Sequence, residues 1–407
     1  MKSARIISVG DEVLSGRIIN TNSSYLANEL TKIGFSISKH IAIGDSYLSI
    51  EDEIDNFLIS KDKIVLVTGG LGPTHDDFTK EAVSKKLNLK LELRQEALDL
   101  LDNYFDGNQA KSDYKQAYFP VGSILIPNRL GTAEGLIIEH EGKTIVLLVG
   151  PPHENQPMME KYVIPYLKKT IMTNILKKEY LVMGKSESHC EDLLSPLYKK
   201  LINVAVNPYG SIGRIKFEIK GLNKYIDEFN QVCFEFEKIM DKFIISDNYD
   251  TIEDRVISLL KEKGYLISFA ESCTGGMLAS MLISISGASN VLSESFITYS
   301  ESAKEKFLKV NKETIDKYGV VSFEVCEEMV KGLKSLTKAD VCVSVSGLAG
   351  PTGETDSLKI GDICYSIFVD NLLITEKKNF KGTRDLIRTK ASFWILYRIF
   401  GLLTYGK

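Results

Sequence analysis

At 407 residues the chain has room for two or three domains at about 150 residues each, and 44% hydrophobic and 26% charged residues with 30 Gly and 10 Pro exclude a long disordered or fibrous segment. A formal net charge of -4 argues against a general nucleic-acid binder, and the pairs Lys85-Lys86, Lys168-Lys169 and Lys377-Lys378 read as solvated helix faces and turns. Six cysteines without a C-x-x-C pair suit neither a disulfide framework nor a zinc site. The lack of an apolar leader or of any apolar run near ~18 residues predicts a cytoplasmic protein with no membrane partner.

The first predicted element is a buried strand over residues 4–9, ending at Gly10. Asn22-Ser23-Ser24 are read as the cap of a helix carrying Leu26, Leu30 and Ile33 and stopped by Gly34. A strand at 35–43, a helix near 49–59 and a strand at 64–67 continue a β-α-β-α-β rhythm, which predicts an open, mainly parallel sheet. Glu141-Gly142 between apolar runs at 135–138 and 144–148 signals a hairpin, and a helix near 153–169 closes the first domain, residues 1–170.

Residues 171–250 read as a small α+β module, structural or dimerising: a strand near 178–183, a helix near 187–201, two strands within 203–219 and a helix at 223–243. Residues 246–250 read as a linker. From Thr251 the α/β rhythm returns, with a helix at 251–263 stopped by Gly264, a strand at 265–270, a helix to about 285 and a strand through 296–299. Helices near 301–308 and 323–337 and a strand at 341–345 follow. The fold class is thus α/β: two three-layer α/β domains with mainly parallel sheets (1–170 and 251–407), joined by a small α+β domain.

Ser272 falls where a strand turns toward a helix, and Gly275 and Gly276 keep that turn open. Backbone N–H groups at Thr274–Gly276 are candidate donors to an oxyanion or a bound anion; for the motif in isolation, a helix-capping serine is the better reading. A serine nucleophile needs a base, and a lysine serves only when its neutral form is favoured. Taken singly, Lys304 reads as a solvated lysine and Tyr299 as a core aromatic. Gly69, Gly70 and Gly72 with Thr74 follow the third strand, where such sheets bind ligands. Asp11 or Glu12, with Asp76 and Asp77, supplies oxygen ligands for a divalent metal such as Mg²⁺. This loop lacks the P-loop lysine and the G-x-G-x-x-G pattern, so a phosphate cradle and a plain tight turn weigh equally on physics alone.

Taken together, Ala270-Glu-Ser-Cys-Thr-Gly-Gly276, Thr298-Tyr-Ser-(x)2-Ala-Lys304, Ser344-Val-Ser-Gly-Leu-Ala-Gly-Pro351 and Arg384-(x)3-Arg388 resemble the CinA C-terminal family over residues 251–405. The resemblance implies hydrolysis of the carboxamide of nicotinamide mononucleotide without a cofactor. Ser272 is then the nucleophile, Lys304 its base, and Tyr299 a proton relay or orienting hydroxyl. Thr274, Gly275, Gly276, Ser346, Gly347, Gly350 and Arg384 are substrate-binding candidates. Family members usually continue after the proline with a Gly-rich run and Lys-Pro-Val-Gly; this chain has Thr352-Gly-Glu-Thr-Asp-Ser-Leu-Lys-Ile-Gly361.

Gly10-Asp-Glu-Val-Leu-(x)-Gly16, Asn20-Thr-Asn22, the Thr68–Asp77 loop, Asn128-(x)2-Gly-Thr-Ala133 and Gly150-Pro-Pro-(x)-Glu154 are similar to the CinA N-terminal domain, itself similar to molybdopterin-binding domains. That likeness implies metal-dependent cleavage of ADP-ribose to AMP and ribose 5-phosphate, with Asn20 among the binding residues and K⁺ as a further cofactor candidate. Glu134 stands where many relatives carry proline. A homodimer is expected. Two other readings are a protein with one active domain and a non-enzymatic competence- or damage-associated nucleotide binder. Ser335-Leu-Thr-Lys338 fits S-x-x-K without the partners of a β-lactamase-like site and reads as chance.

Overall fold

The computed structural model describes residues 2–170, 175–248 and 250–406. The chain forms two compact units, Met1–Ile175 and Leu176–Lys407. Residue 171, where the second domain was expected to begin, and Tyr249 of the expected linker lie outside the described residues.

The strands of the first unit are β1 (Ser3–Val9), β2 (Ser36–Ile43), β3 (Ile64–Thr68), β4 (Leu91–Leu93), β5 (Tyr118–Pro120), β6 (Ile124–Ile126), β7 (Gly135–His140) and β8 (Lys143–Leu148). Six of them form one sheet in the order β2-β1-β3-β8-β7-β6. The pairs β1–β2, β1–β3 and β3–β8 are parallel, and β7–β8 and β6–β7 antiparallel. Ile6, Ile7, Val65, Leu66, Val146 and Leu147 are buried on both faces of its centre, which explains the continuous apolar runs there. The expected hairpin joins β7 to β8, with Glu141 and Gly142 both at positive φ, as a two-residue turn of this kind needs.

Two expectations need correction. The helix Thr21–Lys32 is capped by Asn20, whose side chain accepts from the Ser23 amide, and Asn22 and Ser23 lie inside it. The helix expected at 153–169 is three segments, Pro152–Met158, a wider turn at Met159–Val163 and Ile164–Lys168. The widening lies between Pro157 and Pro165, each of which withholds an amide donor.

In the second unit β9 (Ile175–Val182), β10 (Val204–Ser211), β11 (Arg214–Leu222) and β12 (Ile244–Ser246) form a sheet in the order β10-β11-β9-β12. The helices Glu187–Tyr198 and Ile226–Met240 share its core, where the Phe236 ring lies 4.7 Å from Tyr180 and 5.2 Å from Phe217. Ser246, first residue of the expected linker, belongs to β12 and is buried. Leu181, Met183 and Ile245 share a core with Ile399 and Leu403, which ties this sheet to the C-terminal part of the same unit.

The remaining strands are β13 (Ile267–Glu271), β14 (Leu292–Ile297), β15 (Val341–Gly347), β16 (Asp362–Val369) and β17 (Leu372–Asn379), in the order β14-β13-β15-β16-β17. The pairs β13–β14 and β13–β15 are parallel; β15–β16 and β16–β17 are antiparallel. Thr251 and Asp254 form a capping box at the start of Ile252–Lys263, and Gly264 ends that helix in the left-handed conformation, as the sequence predicts. The 22-residue helix Arg384–Tyr405 buries Ile387, Ala391, Ile395, Leu396 and Ile399 along one stripe. The molecule has the α/β fold class read from its sequence. Among the described residues no helix is long and apolar enough to cross a membrane.

Candidate active site

The parallel strands β14, β13 and β15 all end at one edge of their sheet, where such folds bind ligands. Thr298 follows β14 and donates its amide to Glu271 O at 2.8 Å; Ser272 follows β13 and donates its amide to Val345 O at 3.0 Å. The helix Glu301–Leu308, capped by the Ser300 hydroxyl, then carries Lys304 inward to complete burial.

Lys304 Nζ lies 3.0 Å from Ser272 Oγ and donates to Thr298 O at 2.7 Å and Tyr299 O at 3.4 Å. No carboxylate is in ion-pair contact with this amine among the described residues. Burial pushes its pKa below the usual lysine value of 10.5. A neutral amine has two N–H donors and one lone pair. The two carbonyls take the donors, and the lone pair is left for the Ser272 hydroxyl.

Tyr299 is placed differently from the expectation of a proton relay. Its side chain is 63% exposed and its hydroxyl accepts from Arg384 Nη2 at 3.2 Å, while its carbonyl is the atom that meets Lys304. With the amine already at hydrogen-bonding distance from the serine, no phenol is needed between them. Arg384 also donates to Gly350 O at 2.6 Å and so ties Tyr299 to the loop after β15. Arg388 donates to Cys273 O at 3.0 Å and Thr274 O at 2.9 Å, holding the serine loop from its carbonyl side.

The expected amide donors are likewise narrowed. The Gly275 amide donates to Ser272 O at 3.1 Å, and the Gly276 amide to Glu271 Oε2 at 3.0 Å. Glu271 also accepts from Leu278 N at 3.2 Å and Ala279 N at 3.0 Å. A buried carboxylate requires donors, and this one takes those at the start of Met277–Ile283, so that helix end does not serve a ligand. The amides of Cys273 and Thr274 remain without an oxygen acceptor among the described residues. Glu271 is the main residue that the sequence reading missed; its signal was a lone carboxylate inside an apolar strand end beside the serine.

Ser346 is fully buried and its hydroxyl donates to Val320 O at 2.8 Å, so it holds the fold rather than facing a ligand. Gly347 allows close packing: a Cβ there would meet Ile363 Cδ1 at 2.3 Å and Cys273 Sγ at 3.1 Å. The Thr274 hydroxyl is buried and without a hydrogen-bond partner among the described residues.

In the first unit a cleft of about 550 Å³ lies against Gly69, Gly70, Gly72 and Thr74, with Glu12, Asp45, Asp76 and Asp77 on its walls. A second cavity of about 290 Å³ is bordered by Asn20 and shares Val9, Glu12, Gly150 and Pro151 with the first. Gly69 has φ +106 and no room for a Cβ, which would meet Val9 O at 2.2 Å. Asn20 is held by its capping role and by Ser8, at 3.0 Å from Nδ2.

The expected set of Asp11, Glu12, Asp76 and Asp77 does not gather as one cage. Among the described residues no three His, Cys, Asp or Glu side chains are placed to hold a metal ion. Asp11 does not line the cleft and pairs with Asp45, each carboxylate accepting the other's amide. Asp77 accepts from Thr74 N at 3.0 Å and Thr74 Oγ1 at 2.5 Å, and Asp76 also accepts from that hydroxyl. Burial raises the pKa of Asp45; the Asp11 amide opposes this, while repulsion from Asp11, Glu12 and Asp76 adds to it. A cation arriving on phosphate oxygens needs only one or two protein carboxylates and relieves that repulsion, so these walls fit a substrate-borne metal.

Residues 249–402 match the CinA C-terminal domain, and residues 5–169 match the family described as "Probable molybdopterin binding domain". The CinA-like protein of Kosmotoga olearia is 36% identical over 400 residues, covering 97% of each chain. The chain belongs to the CinA family. A protein of Caldicellulosiruptor saccharolyticus, provisionally named competence-damage inducible, is 38% identical with 96% of each chain covered. The crystal structure of a CinA protein of unknown function from Thermoplasma acidophilum is 31% identical, with 42% of this chain and 98% of that chain covered and a TM-score of 0.39.

Two departures from the CinA pattern acquire a physical account. In the loop after Pro351, Glu354 accepts from Ile360 N at 2.9 Å, and Thr355 N donates to Leu358 O at 2.9 Å. The loop is therefore shaped in part by its own polar groups, alongside Gly353 and Gly361 at positive φ. Glu134 is buried with Oε2 lacking a hydrogen-bond partner among the described residues, and burial pushes its pKa up to about 7. Buried Lys80, whose amine donates to Gln116 O at 2.8 Å, is pushed down by burial to about 8.

Proposed function

We propose that the C-terminal part of this CinA-family protein is a serine amidohydrolase acting on nicotinamide mononucleotide. The observation that carries this reading is the buried Lys304 amine at 3.0 Å from Ser272 Oγ, its other donors taken by two carbonyls. Neutral Lys304 accepts the hydroxyl proton as Ser272 Oγ attacks the carboxamide carbon. The pyridinium ring withdraws electrons and makes that carbon more electrophilic. The carbonyl oxygen becomes an oxyanion, for which the Cys273 and Thr274 amides are the available donors. The Lys304 ammonium returns its proton to the leaving nitrogen, ammonia departs, and water hydrolyses the acyl-enzyme along the same proton path. Arg384, exposed beside Tyr299, would be the cation to meet a substrate phosphate.

For the N-terminal part we propose hydrolysis of ADP-ribose to AMP and ribose 5-phosphate. The Gly69–Gly72 backbone would receive the diphosphate, and Asp76 and Asp77 would hold a divalent metal carried on it. Such a metal neutralises phosphate charge during attack by water. Paired ADP-ribose and nicotinamide mononucleotide activities would make the protein a salvage enzyme for two fragments of NAD.

The deciding assay is ammonia release from nicotinamide mononucleotide by the full chain. Ser272→Ala is expected to lower it by about 10³-fold or more. Release unchanged in that variant would refute the serine mechanism.

A further inference from the structure

A third cavity, of about 670 Å³, lies within the second unit where the small sheet meets the C-terminal helix, away from Ser272 and Lys304. Lys185, Arg214, Lys378 and Lys390 line it against a single carboxylate, Glu187, in a chain whose net charge is -4. Arg214 has an ion pair, with Glu253 at 3.7 Å. Among the described residues Lys185, Lys378 and Lys390 have none: Lys185 lies over Phe243, Lys378 over Trp394, and Lys390 donates to Lys381 O. Burial pushes the pKa of Lys378 down; Glu376 opposes this and Arg398 adds to it.

Like charges from three chain segments repel one another across this space, and Glu187 is the one carboxylate that lines it. Such an arrangement is stabilised by an anion bound among them. Its volume falls in the range of about 300–1,000 Å³ typical of small-molecule sites, and half-buried Trp394 adds an aromatic wall. We propose that this cavity is a second ligand site, for a phosphate-bearing molecule of nucleotide size. The cations bind the phosphate groups, and Trp394 borders the rest of the ligand. Because the cavity is concave and lined by one cluster, the expected ligand is small rather than a polymer.

The chain's one tryptophan borders the cavity, so its fluorescence reports on binding. Full-length protein is titrated with ATP, inorganic pyrophosphate and adenosine as probes. A saturable change with ATP and with pyrophosphate, weaker by tenfold or more for adenosine, is expected. Lys185→Glu and Lys390→Glu, on separate segments, are each expected to weaken ATP binding at least tenfold while melting as the wild type does. Either variant that fails to fold is replaced by its Gln counterpart, for which a smaller loss of the same sign is expected. A flat titration overturns the proposal, as does an equal response to adenosine or wild-type affinity in folded variants of both lysines.

Discussion

At the residue scale, much rests on where individual charges are held without water. Lys304 is buried beside a hydroxyl with carbonyls as its other neighbours, a setting that favours the uncharged amine. Glu134 is the acidic counterpart in the first unit. Its folded pKa, about 7, lies above the usual 4.5, so the folded state holds a proton that the unfolded chain releases between those values. Its contribution to stability is fully present below pH 4.5 and is lost as pH rises toward 7. Glu134→Gln is therefore expected to raise the melting temperature at pH 8 and to flatten its fall between pH 4.5 and 7. An unchanged pH profile of Tm would show that the carboxyl is not held protonated. The pairing of Ser272 with Lys304 was legible in the sequence only as a family pattern, since each residue alone reads as a cap or a surface lysine. The direction of the Tyr299 side chain was not legible, because it depends on how the chain turns after β14 and on Arg384, 85 positions away.

Among the elements, the serine turn is shaped from both sides. Glu271 gathers three amides beneath it, and Arg388 holds two carbonyls above it. Glu271→Gln keeps the size but replaces one acceptor oxygen with an N–H donor that faces the same amides. It is expected to cost about 2 kcal/mol of stability and to lower amide hydrolysis more than substrate affinity. Denaturant unfolding with kcat and KM measured separately checks this, and a wild-type kcat would deny Glu271 its positioning role. Helix limits with strong local signals, such as the Gly264 stop, were readable from sequence. The β16–β17 hairpin was missed although Asp370-Asn371, both at positive φ, is a recognisable turn pair. Strands β4, β5 and β6 have three residues each, too few to show an alternating pattern.

For the whole molecule, the proposed reading gives the two units separate chemistries on strand ends of the same kind, with a metal expected in one alone. The α/β class was legible because both parallel regions alternate apolar strands with helical segments. Of the antiparallel pairs in these two sheets, β7–β8 was legible from its turn, whereas β6 and the β16–β17 hairpin were not. Chelation is expected to abolish AMP formation from ADP-ribose and to leave ammonia release intact, while Ser272→Ala does the reverse. Loss of both activities by either treatment would contradict independent sites.

The claim on which the rest depends is that Lys304 is neutral when Ser272 reacts. Its amine can be followed directly by NMR titration of protein carrying isotopically labelled lysine, with Lys304→Arg to assign the signal. A pKa below 10.5 is predicted, with ammonia release rising as the amine loses its proton. A pKa at or above 10.5 would contradict the account.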